Sequence, residues 1–152
     1  MDSYATLGAM VKILLALVSI SISLPCFGST PEEIKETHLQ AEQGHANAQF
    51  NLGLMYSNGE GVPEDDAEAV KWYRKAAEQG YANAQFNLGL MYLNGEGVPE
   101  DNVFAYMWFN LAAAQGDEDA KKGKGMISEN MTKEQIAEAQ KLSREWLAKH
   151  SE

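Results

Sequence analysis

The chain has 152 residues, enough for one domain, and its apolar content is ordinary. Its formal net charge of −10 argues against a nucleic-acid-binding protein, which needs a basic stripe, and against docking on anionic lipid. The single cysteine, Cys26, leaves the rest of the chain without an internal disulfide or a thiolate zinc cluster, and the three histidines form no ligand-spaced pair. We therefore expect neither a metal nor a cofactor.

The N-terminal segment is typical of a secretory signal peptide. Lys12 precedes an apolar run from Ile13 to Leu24, which small residues follow. This run is shorter than the about 20 apolar residues of a spanning helix. We predict that residues 1–28 are a signal peptide cleaved near Gly28 and that the mature chain is periplasmic or secreted, with no membrane span. An uncleaved anchor and lipidation of Cys26 are the alternatives, and Met10 is an alternative start.

Residues 29–44 predict an N-terminal half-repeat, a single helix. Thr30 supplies a hydroxyl cap, Pro31 occupies the first helical position, and Glu33 follows the cap at the spacing of a capping box. Gly44 suits the end of this helix, and its apolar residues Ile34, Leu39 and Ala41 are expected to cover the next repeat.

The centre of the chain is a tandem repeat. Residues 41–76 align with residues 77–112 at 26 identities in 36 positions, and a partial third repeat occupies residues 113–130. A repeat of this length cannot bury its own apolar face, so the copies must stack. The sequence therefore predicts an all-α solenoid of antiparallel helix pairs, whose product is a surface for a protein or peptide partner.

Each repeat is predicted to contain two helices. The first spans about Ala46 to Ser57 and is apolar on two sides, as in a helix packed between neighbours. A glycine-rich loop with a Val-Pro pair follows, and an amphipathic second helix runs from about Asp66 to Gln79. The acidic residues of the loop lack the ligand spacing of an EF-hand, so we expect no calcium site.

The second repeat differs from the first at the outer face of its second helix. Positions that are charged in the first repeat are apolar in the second, namely Phe104, Met107 and Leu111. Residues 131–152 predict a C-terminal capping helix that opens with a capping box at Thr132 and Gln135. Its apolar stripe is expected to cover the apolar face of the second helix of the second repeat. The stripe contains Ile136, Ala139, Leu142, Trp146 and Leu147. Cover by a partner or a second copy is the alternative, and we expect a monomer rather than a homo-oligomer.

The repeat resembles the Sel-1-like repeat, a relative of the tetratricopeptide repeat, over about residues 41–120. The resemblance is carried by A-x-A-Q-F-N-L-G-L-M-Y, by G-x-G-V-P-E-D, and by the tryptophans Trp72 and Trp108. It implies a right-handed superhelix and an adaptor that binds proteins or peptides along its concave side. It also implies an alternative function, because some secreted, cysteine-bearing relatives are connected with β-lactam binding or hydrolysis. This chain has no cysteine in its repeats.

Catalytic motifs are absent from the sequence, which contains neither Ser-x-x-Lys nor G-x-S-x-G nor H-E-x-x-H. We therefore expect an exported adaptor rather than an enzyme. Its predicted binding surface is a ladder of asparagines between the two apolar stripes of the first helices, bordered by two leucines: Asn47, Asn51, Asn83, Asn87, Leu54 and Leu90. Side-chain amides both donate and accept, so they suit the backbone of an extended peptide. The alternative is that the asparagines face water or satisfy nearby loops.

Overall fold

The computed structural model describes residues 30–150, which form seven α-helices. In chain order they are α1 (Pro31–Glu42), α2 (Ala46–Asn58), α3 (Asp66–Glu78), α4 (Ala82–Asn94), α5 (Asn102–Ala114), α6 (Glu118–Ser128) and α7 (Lys133–His150). The predicted signal peptide, with Cys26 and the alternative start at Met10, lies outside the described residues. Within residues 30–150, none of the helices combines the length and hydropathy that a bilayer crossing requires.

Side-chain caps mark the start of five of these seven helices, whereas α2 and α4 have none. Both predicted capping boxes are present: the backbone N–H of Glu33 donates to Thr30 Oγ1 at 3.2 Å, and that of Gln135 donates to Thr132 Oγ1 at 3.2 Å. Asp65 caps α3 by accepting from Glu68 N at 3.0 Å. Each of these oxygens satisfies a backbone donor that the first helical turn leaves free.

Helices α1 to α6 pack in the order of the chain. α2 packs against α3, and α4 packs against α5, as two helix pairs. α1 packs against α2, and α3 packs against α4, so each pair also contacts the element before it. The predicted all-α solenoid of helix pairs is confirmed.

A buried core runs between the pairs. Leu52 and Leu88, at equivalent positions of α2 and α4, are both fully buried. Tyr73 of α3 and Phe109 of α5 are also equivalent, and each lies against a helical glycine of its own pair, Gly53 or Gly89 in that order. The absence of a side chain at these glycines therefore lets the two helices of each pair approach closely.

The loop of the second repeat contacts the first repeat directly. Gly97 has a φ of +67°, and a Cβ built on it would lie 2.2 Å from the backbone oxygen of Asp66. Only glycine adopts this conformation and leaves room for the start of α3. The position therefore joins the loop of one repeat to the second helix of the preceding repeat.

α7 covers the apolar face of α5, which is the intramolecular arrangement that we expected. Met107 and Leu111 are buried, and the hydroxyl of Ser143 lies 3.4 Å from the backbone oxygen of Met107. The rings of Trp108 and Trp146 meet edge to face at 6.3 Å. Phe104 keeps 39% of its surface exposed and stacks on Tyr92.

Two leucines expected to pack against a neighbouring helix are instead exposed. Leu147 of α7 is 46% exposed, because Trp146 points to the core and the next residue is turned about 100° around the helix. Leu39 of α1 is 49% exposed, whereas its neighbour His38 contacts the rings of Tyr56 and Trp72. In both helices the buried stripe is narrower than the sequence indicated.

Candidate functional site

The six residues predicted to bind a partner lie on α2 and α4. They are Asn47, Asn51, Leu54, Asn83, Asn87 and Leu90. The first three asparagines in chain order are exposed, whereas Asn87 and the two leucines are half-buried. The structure therefore places the predicted residues in two groups that differ in exposure.

A cleft of about 200 Å³ lies between α2 and α4 and brings the half-buried group together. Its lining includes Leu54, Ser57, Tyr73, Asn87, Leu90 and Glu96. The three exposed asparagines are not part of this lining. Three of the six predicted residues thus line one concave site.

Tyr73 joins the cleft from α3. Tyr73 is only 2% exposed and belongs to the core, yet it also contributes to the cleft lining. Burial raises the pKa of the Tyr73 hydroxyl above its usual value of 10.0, and hydrogen bonding to Asn87 and Ser57 partly offsets this rise. The cleft therefore contains a neutral hydroxyl associated with an amide from the next repeat.

Sequence reasoning missed the contribution of Tyr73, although a signal for it exists in the repeats. One repeat further on, Phe109 stands at the position of Tyr73, and Gly123 stands at the position of Asn87. The hydroxyl and the amide are thus lost together. This joint loss indicates that Asn87 serves the Tyr73 hydroxyl in addition to facing the cleft.

The walls of the cleft carry almost no charge. α2 and α4 contain no lysine, arginine, aspartate or glutamate. Glu96, in the loop after α4, is the charged member of the lining. Amide, hydroxyl and apolar groups in this arrangement suit recognition of a neutral backbone with a positive charge at one end.

A second cleft, of about 370 Å³, lies between the C-terminal end of α4 and the C-terminal end of α6. Leu93, Met126 and Ile127 supply its apolar lining, and Glu100 supplies a carboxylate. Met126 is 71% exposed, which makes it the most exposed large apolar side chain of residues 30–150. This face of the molecule therefore holds two clefts with α4 between them.

Another depression, of about 460 Å³, is lined among the described residues by α1 alone. It is lined by residues of a single helix, including Glu32, Lys35, His38 and Leu39. Side chains from different elements do not converge there, as they do between α2 and α4. We therefore treat the α2–α4 cleft as the candidate site.

Residues 30–150 contain no cluster of three or more side chains suited to hold a metal ion.

Comparison with known proteins gives consistent matches. The model of the Sel1 repeat family matches residues 46–81 and 82–117. A Sel1 repeat protein from Oxalobacter formigenes has a solved structure that is 44% identical, with a TM-score of 0.61, and the match covers 62% of this chain and 71% of that one. The crystal structure of c5321, a protective antigen present in uropathogenic Escherichia coli strains that displays an SLR fold, is 34% identical with a TM-score of 0.74.

The matched proteins from Escherichia coli are much longer than this chain. The match to c5321 covers 78% of this chain and 26% of that one. The secretory immunoglobulin A-binding protein EsiB, from Escherichia coli O6:H1, is 44% identical over 69 residues, which are 45% of this chain and 14% of EsiB. The chain thus corresponds to a short part of these relatives.

Proposed function

Because the chain belongs to the Sel1 repeat family, we propose that it is an exported adaptor that binds an extended segment of a protein partner along the face formed by α2 and α4. Sel1 repeat proteins are typically protein-interaction adaptors, and they are generally non-enzymatic scaffolds. EsiB, a relative by sequence, is named for binding secretory immunoglobulin A. Export rests on the apolar run from Ile13 to Leu24.

The observation that carries the proposal is the composition of the α2–α4 cleft. Asn87 and Tyr73 offer hydrogen-bonding groups beside the apolar side chains of Leu54 and Leu90. Ligand sites in proteins commonly combine an apolar lining with a few polar groups that fix orientation. The exposed amides of Asn47, Asn51 and Asn83 extend the polar surface on the same two helices.

The test is affinity capture with the purified, immobilised chain from an envelope extract of the bacterium that encodes it. Bound proteins are identified by mass spectrometry, and direct binding of the purified candidate is measured by calorimetry. Asn51→Ala combined with Asn87→Ala is expected to weaken this binding by about tenfold or more, since each lost amide contact contributes on the order of 1 kcal/mol.

The matched control is Gln140→Ala, which removes an exposed amide from α7. It is expected to bind as the unaltered chain does, and circular dichroism checks that each variant remains folded. Full binding by the double variant would show that the α2–α4 face is not the site. The lack of any saturable protein partner would contradict the adaptor proposal itself.

A further inference from the structure

The two clefts beside α4 are successive copies of one feature. Four of the six residues that line the second cleft stand 36 positions after residues of the first: Leu93 corresponds to Ser57, Met126 to Leu90, Ile127 to Met91 and Asn130 to Asn94. α4 is the wall that they share. A partner lying across α4 therefore meets both clefts in turn.

Both clefts combine polar and apolar side chains, with Asn102 and Asn130 among the lining of the second, but they differ at individual positions. The first cleft contains the Ser57 side chain and the Tyr73 hydroxyl, whereas the second contains Leu93 and the exposed side chain of Met126. An asparagine equivalent to Asn87 is absent from the second cleft, where Gly123 occupies that position.

Packing is tight around this position. A Cβ built on Gly123 would lie 3.3 Å from Cε2 of Phe109, a buried ring that would have to shift to accept a side chain. The absence of a side-chain amide at this position therefore agrees with the packing of α6 on α5.

Charge limits what fits across both clefts. Glu96 lines the first cleft and Glu100 lines the second, and neither lining contains a lysine or an arginine. No basic residue occurs in the sequence between Lys75 and Lys121. A ligand with a positive charge is therefore complementary to this face, and an acidic ligand is repelled.

The spacing of the clefts limits the ligand further. Packed helices lie about 8–10 Å apart, and an extended chain advances about 3.3 Å per residue. About three residues of an extended peptide therefore span the step from one cleft to the next. Methionine is flexible and polarizable, so Met126 adapts to apolar side chains of different shapes.

From these observations we infer that the face selects an extended peptide with one large apolar side chain and a neighbouring lysine or arginine. The apolar side chain contacts Leu93 and Met126, the basic side chain lies near Glu100 or Glu96, and the backbone about three residues away contacts Asn87. This inference rests on the proposed function, because it specifies the segment that the adaptor binds.

The test uses a phage library that displays random nine-residue peptides, selected on the full chain. Selected sequences are expected to combine Leu, Ile, Met or Phe with Lys or Arg within about three positions. A fluorescein-labelled peptide of the selected consensus then serves as the probe in anisotropy titrations. Met126→Ala is expected to weaken its binding by about five- to twentyfold, because apolar contact area is lost.

Two further variants test whether the peptide binds at the two clefts. Leu39→Ala truncates an exposed leucine of α1, far from both clefts in the repeat order, and is expected to leave the affinity unchanged. Glu100→Lys is expected to weaken binding of the basic peptide by about fivefold or more in low salt and by less in high salt.

The outcomes separate this inference from the proposed function. Consensus peptides that lack an apolar residue, with binding that depends on Asn87 but not on Met126, would overturn the inference and leave the adaptor proposal standing. A library that yields no consensus would overturn the inference, whereas the adaptor proposal is decided by the capture of a protein partner. A dimer in sedimentation experiments that Met126→Glu dissociates would mean that a second copy occupies the face, and that result would also overturn the inference.

Discussion

The side-chain amide of Gln79 donates a hydrogen bond to the side-chain oxygen of Gln49 at 2.7 Å, across the boundary between α3 and α2. The same bond recurs one repeat later, where Gln115 donates to Gln85 at 2.8 Å. Gln85 is fully buried, and its own amide donates to the backbone oxygen of Ala77 at 3.2 Å. The glutamines thus form a repeated network in which one buried amide joins two consecutive helix pairs.

Replacement of Gln85 by alanine is expected to destabilise the fold by about 2 kcal/mol, because it removes two hydrogen bonds and leaves a cavity. Urea unfolding followed by circular dichroism measures the change. Gln140→Ala, an exposed glutamine of α7, is the control and is expected to stay within about 0.5 kcal/mol. Equal stability of the two variants would show that the buried network contributes nothing.

Gly89→Ala is expected to lower the free energy of unfolding by about 1–3 kcal/mol, although alanine is the better helix former. A Cβ at this position would lie 2.7 Å from Cδ1 of Phe109, a fully buried ring that would have to shift. Thermal unfolding of the variant measures the effect.

The matched control for this glycine is Gly125→Ala in α6. A Cβ at Gly125 would meet no atom within 4 Å, so helix propensity alone decides the outcome. We expect stabilisation by up to about 1 kcal/mol. If both alanine variants were stabilised, the close approach of α4 and α5 would not be a constraint.

Trp146→Ala is expected to cost about 2 kcal/mol of stability, because the indole packs on Trp108 and joins the core beneath α7. Leu147→Ala is the control at the next position, where the side chain is 46% exposed, and should cost less than about 0.5 kcal/mol. Chemical denaturation of both variants distinguishes them. A larger loss for Leu147→Ala would mean that α7 docks with its other face.

Local signals explain why much of the fold could be predicted from the sequence. The capping boxes at Thr30 and Thr132 connect residues three positions apart, so they are visible in a short stretch of chain. The 36-residue period then placed the remaining helices, because a repeat buries its apolar face only by stacking.

Long-range pairings explain what the sequence did not reveal. Gln49 and Gln79 are 30 positions apart and read as ordinary polar helix residues until the structure brings them together. A helical wheel also does not separate Trp146, which packs inward, from the exposed Leu147. In the candidate site the wheel placed the asparagines on one surface, but the contribution of Tyr73 to the cleft depends on how α3 packs against α4.

The pairing of Tyr73 with Asn87 leads to a prediction about alkaline pH. Burial raises the pKa of the Tyr73 hydroxyl in the folded chain above its ordinary value of 10.0, so the folded state holds this proton more tightly than the unfolded state does. The stabilisation from this group is therefore complete below about pH 10 and is lost as the pH rises through the higher, folded value. Tyr73→Phe removes the titrating group, so the free energy of unfolding of this variant should fall less steeply as the pH rises through this range. Urea unfolding at a series of pH values from 8 upward measures the difference between the two curves.

A double-mutant cycle tests the same pair at neutral pH. If Asn87 serves the Tyr73 hydroxyl, Asn87→Ala should cost about 1 kcal/mol in the unaltered chain and clearly less in the Tyr73→Phe background. Asn51→Ala is the matched control, since this exposed asparagine occupies the equivalent position of α2 and should give the same small effect in both backgrounds. Additive costs for Asn87 and Tyr73 would show that the two side chains act independently. Asn87 would then be free to contribute its whole hydrogen-bonding capacity to a bound peptide, and its replacement should weaken peptide binding equally in the unaltered chain and in the Tyr73→Phe background.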